Sequence, residues 1–255
     1  MKTKIVVIGC SFSSWKRQKT WSEHVREKYG ELQFVNLGET GTSNEYLLPK
    51  VIKYAKEDTD STIYLIQLTG LDRVCINGEV SPTPTSLNKK TIFNAWGMFN
   101  NDRKTDFWID YFKNHYNPEI HYIKLLGLIL EFQSIMKNKK NSDYCIFSGW
   151  DTFTCTGDSH QFDAVEKYTN INHSLLKDKN EEAKKLFDCV DFNKFWFFNN
   201  EFIKYGGITQ YVQYTLSNEH WYRNIKINPP DLHPSDFAHK TFAENIVYNL
   251  VNKML

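Results

Sequence analysis

The fold is decided near the first residue, by the stretch Ile5-Val6-Val7-Ile8-Gly9-Cys10-Ser11. Four β-branched residues in a row indicate a short buried strand of a parallel sheet that is covered on both faces. Gly9 ends the run, and Ser11 then stands at the carboxyl end of a central strand, where open α/β sheets bind their ligands. Two interpretations follow: Ser11 is a nucleophile, or it caps the next helix.

The residues after Ser11 continue as alternating helices and strands. Helical periodicity runs from Thr20 to Tyr29, and a second strand covers residues 32–36. A glycine-containing turn leads into a helix that ends near Lys56, with Pro49 tolerated if it lies in the first turn. A third strand covers residues 61–68. The order β-α-β-α-β predicts a parallel sheet with right-handed crossovers.

The rest of the chain adds a helix from about Pro118 to Lys137, a fourth strand at residues 144–148 and a final helix from Ser235 to about Met254. The final helix is expected to place its apolar residues on one side: Phe237, Phe242, Ile246, Val247 and Leu250. Irregular stretches at about 74–116 and 150–225 are predicted to be two mainly helical insertions. We therefore expect residues 1–255 to form a single three-layer α/β/α domain with a flavodoxin-like parallel sheet.

Composition restricts the classes of partner. The formal net charge is +1, so no overall field favours nucleic acid or an anionic membrane surface. The five cysteines are scattered without a C-x-x-C pair, which is typical of a reducing compartment. The first apolar run is too short for a secretion signal, and no run approaches membrane-spanning length. We expect a cytoplasmic protein without membrane contact.

The segment Asp231-Leu232-His233-Pro234-Ser235 is the second stretch that carries chemistry. Pro234 disfavours the helical region for His233, so the segment should be extended. Residues two apart in an extended chain project to the same side, which places Asp231 and His233 together. An acid that orients a histidine, with the histidine taking a proton from serine, is the logic of a catalytic triad. The alternative is a helix-entry loop whose Asp231 accepts from backbone amides.

Taken together, these motifs resemble the SGNH hydrolase superfamily, also called GDSL-like esterases, in a divergent bacterial or phage type. The resemblance covers the sheet segments but not the two insertions. It implies that Ser11 is the nucleophile and that Asp231 and His233 complete the triad. It also implies that the backbone amides of Ser11 and Gly41 form the oxyanion hole.

The third motif of that family departs from its pattern here. The segment runs Gln67-Leu68-Thr69-Gly70-Leu71-Asp72-Arg73, and Leu71 stands where the family has an oxyanion-hole asparagine. Losing one such donor typically lowers the rate by ~10²–10³. Arg73 is the first candidate substitute and Asn44 the second, and Thr69 joins Arg73 as an expected substrate-binding residue. A salt bridge to Asp72 or another nearby acid is the alternative for Arg73.

Other sequence signals compete with this site. Gly157-Asp158-Ser159-His160 almost spells the Gly-Asp-Ser-Leu that gives the family its name, but it follows no strand, so we interpret it as a turn. Cys10 is the alternative nucleophile, disfavoured because successive strand residues face opposite ways. A metal held by Asp231, His233 and His239 lacks any spacing typical of ligands. No nucleotide-binding glycine motif is present, so no cofactor and no metal are expected.

The second insertion is rich in aromatic residues, notably in 192–198 and 205–214. They either cover the site as a lid that stacks on sugars or form the core of a small helical subdomain. Trp150 and Trp221 are expected to border the substrate pocket. The sequence thus predicts a serine esterase or acylhydrolase, including an O-deacetylase of a glycan or a small acyl ester. The alternative is a binding or assembly module that keeps the fold without the activity.

Overall fold

The protein was analysed as a computed structural model. It describes residues 3–14, 18–71, 73–76, 79–80, 107, 110–111, 114–149, 152–153, 176–201, 203–217, 222–224 and 231–255. At residues 79–80, 118, 176, 179, 222–224 and 231–232 it describes the backbone alone.

The strands follow one another along the chain as β1 (Lys4–Ile8), β2 (Gln33–Asn36), β3 (Thr62–Leu68), β4 (Cys75–Ile76), β5 (Glu79–Val80), β6 (Asp143–Ser148), β7 (Tyr222–Asn224) and β8 (Asp231–Pro234). The helices are α1 (Trp21–Lys28), α2 (Asn44–Glu57), α3 (Pro118–Lys137), α4 (Glu181–Cys189), α5 (Ile208–Thr215), α6 (Asp236–Phe242) and α7 (Tyr248–Met254). A π-helical turn, Ala243–Val247, joins α6 to α7. Short 3-10 turns cover Leu176–Lys179 and Phe192–Lys194.

Four strands form the central sheet, in the order β2-β1-β3-β6, and all of their pairings are parallel. The register pairs Ile8 with Ile66 and Leu68 with Ser148, so the strands end at one common edge. Strands β4 and β5 form a separate antiparallel pair, as do β7 and β8. The predicted parallel sheet is confirmed, and its carboxyl edge is where the candidate site is expected.

Side chains alternate between two cores, one on each face of the sheet. In β1, Val6 and Ile8 join the core shared with α2, α3 and α4, whereas Ile5 and Val7 join the core shared with α1, α5, α6 and α7. β1 and β3 are buried along their whole length, which explains their unbroken apolar sequence. The three-layer α/β/α architecture predicted from the sequence is therefore confirmed.

One detail of α2 differs from the prediction. Pro49 is the sixth residue of this helix, in its second turn rather than its first. Proline has no amide hydrogen, so the carbonyl of Glu45 loses its usual helical donor. The helix continues to Glu57 because the buried residues on either side of Pro49 (Leu47, Leu48, Val51 and Ile52) hold it against the core.

The final helix is not one regular helix with the predicted face. Phe237 is 52% exposed, so its assignment to the apolar side is wrong. The buried residues Ala238, Phe242, Val247 and Val251 are spaced by four, five and four positions. The five-residue step coincides with the π-helical turn, which inserts one residue into the helical repeat. This local change of period could not be read from a pattern that assumes regular helix.

The aromatic segment of the second insertion belongs to the core. Phe195 forms a parallel bridge with Ile146, and the amide of Trp196 donates to the Ile146 carbonyl at 2.9 Å. Phe195 and Phe197 pack on one face of the sheet, whereas Trp196 and Phe198 pack on the other. The segment thus extends the sheet edge beyond β6. Residues 195–198 therefore belong to the core of the α/β domain, rather than to a lid or to the core of a separate helical subdomain.

No helix within the described ranges is long and apolar enough to cross a membrane. Cys10, Cys75, Cys145 and Cys189 are free thiols.

Candidate active site

The site begins at the tight turn after β1. The amides of Ser13 and Ser14 both donate to the Cys10 carbonyl at 3.0 Å, and the Ser13 hydroxyl donates to it at the same distance. A Cβ atom on Gly9 would lie 2.4 Å from Ser13 Oγ and 2.8 Å from Gln67 Cβ. Only glycine lets this turn approach β3 so closely. The turn places Ser11 just beyond the carboxyl end of β1.

The carbonyl of Ser13 accepts hydrogen bonds from three side chains in two segments. Ser22 Oγ donates to it at 2.6 Å, Asn36 Nδ2 at 2.8 Å and Thr20 Oγ1 at 3.3 Å. These donors lie before or in α1 and at the end of β2, so both neighbours of β1 hold the turn. Sequence reasoning missed the roles of Asn36 and Ser22, although a polar residue at the carboxyl end of a strand in a parallel sheet is a usable signal.

His233 reaches this turn from the far end of the chain. It lies in β8, which is extended as Pro234 led us to expect. Nε2 of His233 lies 2.9 Å from Oγ of Ser11. With Nε2 unprotonated, the serine hydroxyl donates to it, which is the geometry that a general base requires.

Two contacts hold the His233 segment in place. The ring of Phe12 meets the His233 ring edge-on, with centroids 5.8 Å apart. Gln18 Nε2 donates to the Pro234 carbonyl at 2.8 Å. Ser235 then caps α6, because its hydroxyl accepts from the Ala238 amide at 3.1 Å. The histidine is therefore held from both sides by residues near Ser11 and by the start of the last helix.

Several predicted residues fall outside what the structure describes. The backbone of Asp231 lies in β8, two residues before His233, but its side chain is outside the described residues. Trp150, Trp221 and the stretch Gly157–His160 are also outside them. Their roles stay predictions.

Gly41 adopts a left-handed backbone, with φ at 76°, in the loop that leads from β2 to α2. A side chain there would be strained, so the sequence needs glycine to form this turn. Asn44, the first residue of α2, exchanges two hydrogen bonds with Thr69: its Nδ2 donates to the Thr69 carbonyl at 2.7 Å, and its Oδ1 accepts from the Thr69 amide at 2.8 Å. These bonds pin the loop to the end of β3. Oxyanion-hole roles for Gly41 and Asn44 remain predictions.

The residues of the third family motif, which begins at Gln67 and ends at Arg73, differ in burial. Leu71 packs against the core on the α2 and α3 face, as its apolar side chain dictates. Arg73 is half-buried, and its amide donates to the Gly70 carbonyl at 3.4 Å in the loop that leaves β3. Thr69 is fully buried at the start of that loop. Substrate contacts by Thr69 and Arg73 stay predictions.

Cys10 does not face away from Ser11, so that expectation is wrong. Its Sγ lies 4.0 Å from Ser11 Oγ and accepts from Gln67 Nε2 at 3.1 Å. The reason is that β1 ends at Ile8, so Cys10 already belongs to the turn and strand alternation does not apply to it. The thiol is fully buried, and its hydrogen-bond donor is Gln67.

His239 is fully buried, and neither ring nitrogen has a hydrogen-bond partner. Its ring meets Phe12 edge-on, with centroids 6.0 Å apart, so Phe12 lies between His239 and His233. Burial lowers the pKa of His239 to about 3, and the neighbouring His233 and His24 add to the effect. His239 is therefore neutral at physiological pH, and of the two histidines only His233 contacts Ser11.

A histidine–carboxylate pair separate from Ser11 and His233 lies at the same end of the sheet. Nδ1 of His121 lies 2.7 Å from Glu45 Oε1, and its Nε2 lies 3.1 Å from the Tyr111 hydroxyl. Burial and the charge of Glu45 raise the pKa of Tyr111, so this phenol is not an activated nucleophile. Among the described residues, the hydrogen bonds of the His121 ring go to Glu45 and Tyr111, and neither is the serine or cysteine that acyl transfer would need.

Among the described residues, no group of three or more His, Cys, Asp and Glu side chains is arranged to hold a metal ion. A cleft of about 450 Å³ lies between α1 and the final helix, lined by Lys19, His24, Glu27, Lys28, Lys240, Glu244 and Tyr248. Neither Ser11 nor His233 lines it. Its charged side chains largely pair with one another, as Lys19 does with Glu27 and Lys240 with Glu244.

The chain matches no protein-family model, and no curated protein matches it in sequence. Among solved structures it is similar to a member of the lipolytic protein G-D-S-L family from Veillonella parvula DSM 2008, with 10% identity, 98% of both chains covered and a TM-score of 0.44. It is also similar to TesA (11% identity, 99% of both chains, TM-score 0.47) and to a possible lipase from Chitinophaga pinensis DSM 2588 (13% identity, 98% of both chains, TM-score 0.37).

The family that the motifs predict thus recurs among the solved structures that the chain resembles. Because every identity is 13% or lower and every TM-score is below 0.5, these similarities support no conclusion about chemistry. The chemistry follows from the contacts of the site itself.

Proposed function

We propose that the protein is a serine hydrolase of ester bonds, with Ser11 as nucleophile, His233 as general base and Asp231 as the acid that orients His233. One observation carries the proposal: His233 Nε2 lies 2.9 Å from Ser11 Oγ, although 222 positions separate the two residues. The pair stands at the carboxyl edge of a parallel sheet, where such folds bind their ligands.

The mechanism is acyl transfer in two steps. His233 takes the proton of Ser11 while Oγ attacks the ester carbonyl, and the proton then passes to the departing alcohol. The backbone amides of Ser11 and Gly41 hold the oxyanion, with Asn44 or Arg73 supplying the donor that Leu71 lacks. Water, deprotonated by His233, then releases the carboxylic acid and restores the serine. No cofactor takes part in these steps.

The substrate class follows from the family resemblance of the motifs: a small acyl ester or an O-acetyl group on a glycan. Thr69, Arg73, Trp150 and Trp221 are the proposed substrate-binding residues. The four free thiols among the described residues agree with a cytoplasmic setting, which is part of the proposal.

The test combines a fluorophosphonate probe with turnover of p-nitrophenyl acetate. Ser11→Ala is expected to abolish labelling and, like His233→Asn, to lower kcat/KM by about 10³-fold or more. Ser14→Ala is the matched control, because it removes another hydroxyl of the same turn and should leave both readouts unchanged. Activity should survive EDTA. Equal labelling of wild type and Ser11→Ala would remove Ser11 as the nucleophile.

Two observations favour a second candidate, a binding or assembly module that keeps this fold. Ser11 is only 2% exposed, and Leu71 packs into the core where an oxyanion donor would be expected. This candidate predicts that the folded wild-type protein neither reacts with the probe nor hydrolyses the ester. Labelling of Ser11 by the probe would exclude it.

A further inference from the structure

Glu45 is a partly buried carboxylate at the start of α2, with a side chain 16% exposed. Its Oε1 lies 2.7 Å from Nδ1 of His121 and 3.6 Å from Nζ of Lys124, and its Oε2 accepts from the Cys75 amide at 3.4 Å. Burial by itself would raise the pKa of Glu45, but the hydrogen bond from His121 and the charge of Lys124 outweigh burial and lower it. The side chain is therefore an anion that contacts two separate segments.

Asn44 and Glu45 hold the two ends of one loop. Asn44 binds the amide and the carbonyl of Thr69, where the loop leaves β3. The next residue, Glu45, binds the amide of Cys75, where the loop enters β4. The loop 69–75 carries Arg73, the proposed substrate-binding cation. Asn44 and Glu45, two consecutive residues of α2, thus hold both ends of the loop that carries the proposed substrate-binding residue Arg73.

His121 links the same carboxylate to the first insertion. Its side chain is 6% exposed, its Nε2 contacts the Tyr111 hydroxyl at 3.1 Å, and Tyr116 stacks on its ring at 5.2 Å. When Nδ1–H donates to Glu45, Nε2 is left to accept from the phenol. The carboxylate thereby sets the orientation of the imidazole that contacts Tyr111 and Tyr116, while α3 supplies the backbone of His121.

From these contacts we infer that Glu45 is a positioning residue of the candidate active site, which fixes the loop 69–75 so that Arg73 can bind substrate. The inference rests on the proposed function, because it assigns substrate binding to that loop. Glu45 itself touches neither Ser11 nor His233. Its loss should therefore weaken substrate binding more than it slows the chemical step.

The experiment measures loop order and kinetics on the same full-length variants. Glu45→Ala removes every contact, whereas Glu45→Gln keeps an acceptor for the Cys75 amide but loses the charge. Hydrogen exchange of peptides covering 69–76 should rise about tenfold in Glu45→Ala and less in Glu45→Gln, because one charge-assisted hydrogen bond is lost. Glu57→Gln, an exposed carboxylate on the same helix, is the control and should exchange like wild type.

The kinetic part uses p-nitrophenyl acetate and an anionic p-nitrophenyl hemiester. Glu45→Ala should raise KM for the anionic ester about five- to tenfold with kcat changed less than about twofold, whereas KM for the acetate changes less. Unchanged exchange at 69–76, or raised exchange with wild-type KM for both esters, would overturn the inference. If the wild type shows no turnover, the proposed function fails and the substrate role of Glu45 fails with it, while hydrogen exchange still decides whether Glu45 holds the loop.

Discussion

The two ends of the central sheet differ in whether their buried polar groups are hydrogen-bonded. At the amino end, Lys4 Nζ lies 2.7 Å from Asp58 Oδ1, and both side chains are about 5% exposed. The hydroxyls of Thr62 and Tyr64 each donate to Asp58 Oδ2 at 2.7 Å. Every one of these four polar side chains is hydrogen-bonded.

At the carboxyl end, several polar atoms are buried without a hydrogen-bond partner: Thr42 Oγ1, Ser43 Oγ, Gln67 Oε1, Thr69 Oγ1 and Ser148 Oγ. Native proteins pair the great majority of buried polar groups, so an unpaired group calls for a reason. Here the unpaired groups lie on strands and loops at the same end of the sheet as Ser11. At the amino end, the hydrogen bonds of buried polar side chains contribute to stability. At the carboxyl end, where the candidate active site lies, several such side chains make no hydrogen bond and contribute less to stability.

The largest expected effect on ester turnover comes from adding a side chain at Gly9, in the turn that carries Ser11. In Gly9→Ala the new methyl group would meet Ser13 Oγ at 2.4 Å and Gln67 Cβ at 2.8 Å, so the turn must shift. A displacement of about 1 Å in a catalytic group lowers the rate by about 10²-fold, and overpacking costs about 1–3 kcal/mol of stability. Ester turnover and urea unfolding measure the two effects.

The same substitution in α3 is its control. Gly127 has no atom within 4 Å of a built Cβ, so Gly127→Ala should keep full turnover and gain about 0.5–1 kcal/mol from helix propensity. Wild-type turnover in Gly9→Ala would show that the close approach at Gly9 has no bearing on the site.

Breaking the amino-end ion pair should affect stability alone. Asp58→Asn leaves the buried ammonium of Lys4 without its main counter-charge, which costs about 3 kcal/mol in urea unfolding. Asp60→Asn removes the second, half-exposed partner of Lys4 and should cost under about 1 kcal/mol. Turnover per folded molecule should stay at the wild-type level in both. A stability loss equal in the two variants would contradict a special role for the buried partner.

Acid unfolding checks the same pair. Burial would raise the pKa of Asp58, but hydrogen bonds from Lys4, Thr62 and Tyr64 prevail and lower it to about 2. The folded pKa lies below the unfolded value of about 3.9, so this stability is present above about pH 4 and is lost as the pH falls through about 2. The pKa of Lys4 is raised in turn, which keeps its charge throughout that range. Asp58→Asn should flatten the loss of stability between pH 4 and 2.

Single hydroxyls should matter differently at the two ends of the sheet, and the smallest effects are expected at its carboxyl end. Thr62→Val removes a hydrogen bond to a buried carboxylate and should cost about 1.5–3 kcal/mol. Thr69→Val and Ser148→Ala remove hydroxyls that have no partner, so each should cost under about 0.5 kcal/mol or stabilise the protein slightly. Urea unfolding of the three variants measures this. Equal costs at the two ends would mean that the carboxyl-end hydroxyls are paired in solution.

The four strands of the central sheet were predictable because each is a short apolar run next to turn residues, and β1 is in addition a buried β-branched run. The bounds of α3 agreed with its sequence pattern at both ends, since Pro118 and the polar residues after Lys137 mark them. The face of the final helix was not predictable, because a π-helical turn changes the spacing that places residues on one side. Cys10 was misplaced for a related reason: β1 ends at Ile8, so Cys10 lies in the turn, where strand alternation does not apply.

The sequence by itself determined the sheet, its two covered faces and the placing of Ser11 and His233 at segment ends. These features follow from local patterns of apolar residues, glycine and proline. Tertiary structure alone decided that His233 Nε2 contacts Ser11 Oγ, that Gln67 lies under Cys10, and that Glu45 binds both Cys75 and His121. Such contacts join residues from 30 to 222 positions apart, and no local pattern encodes a distance between side chains that only the packed layers bring together.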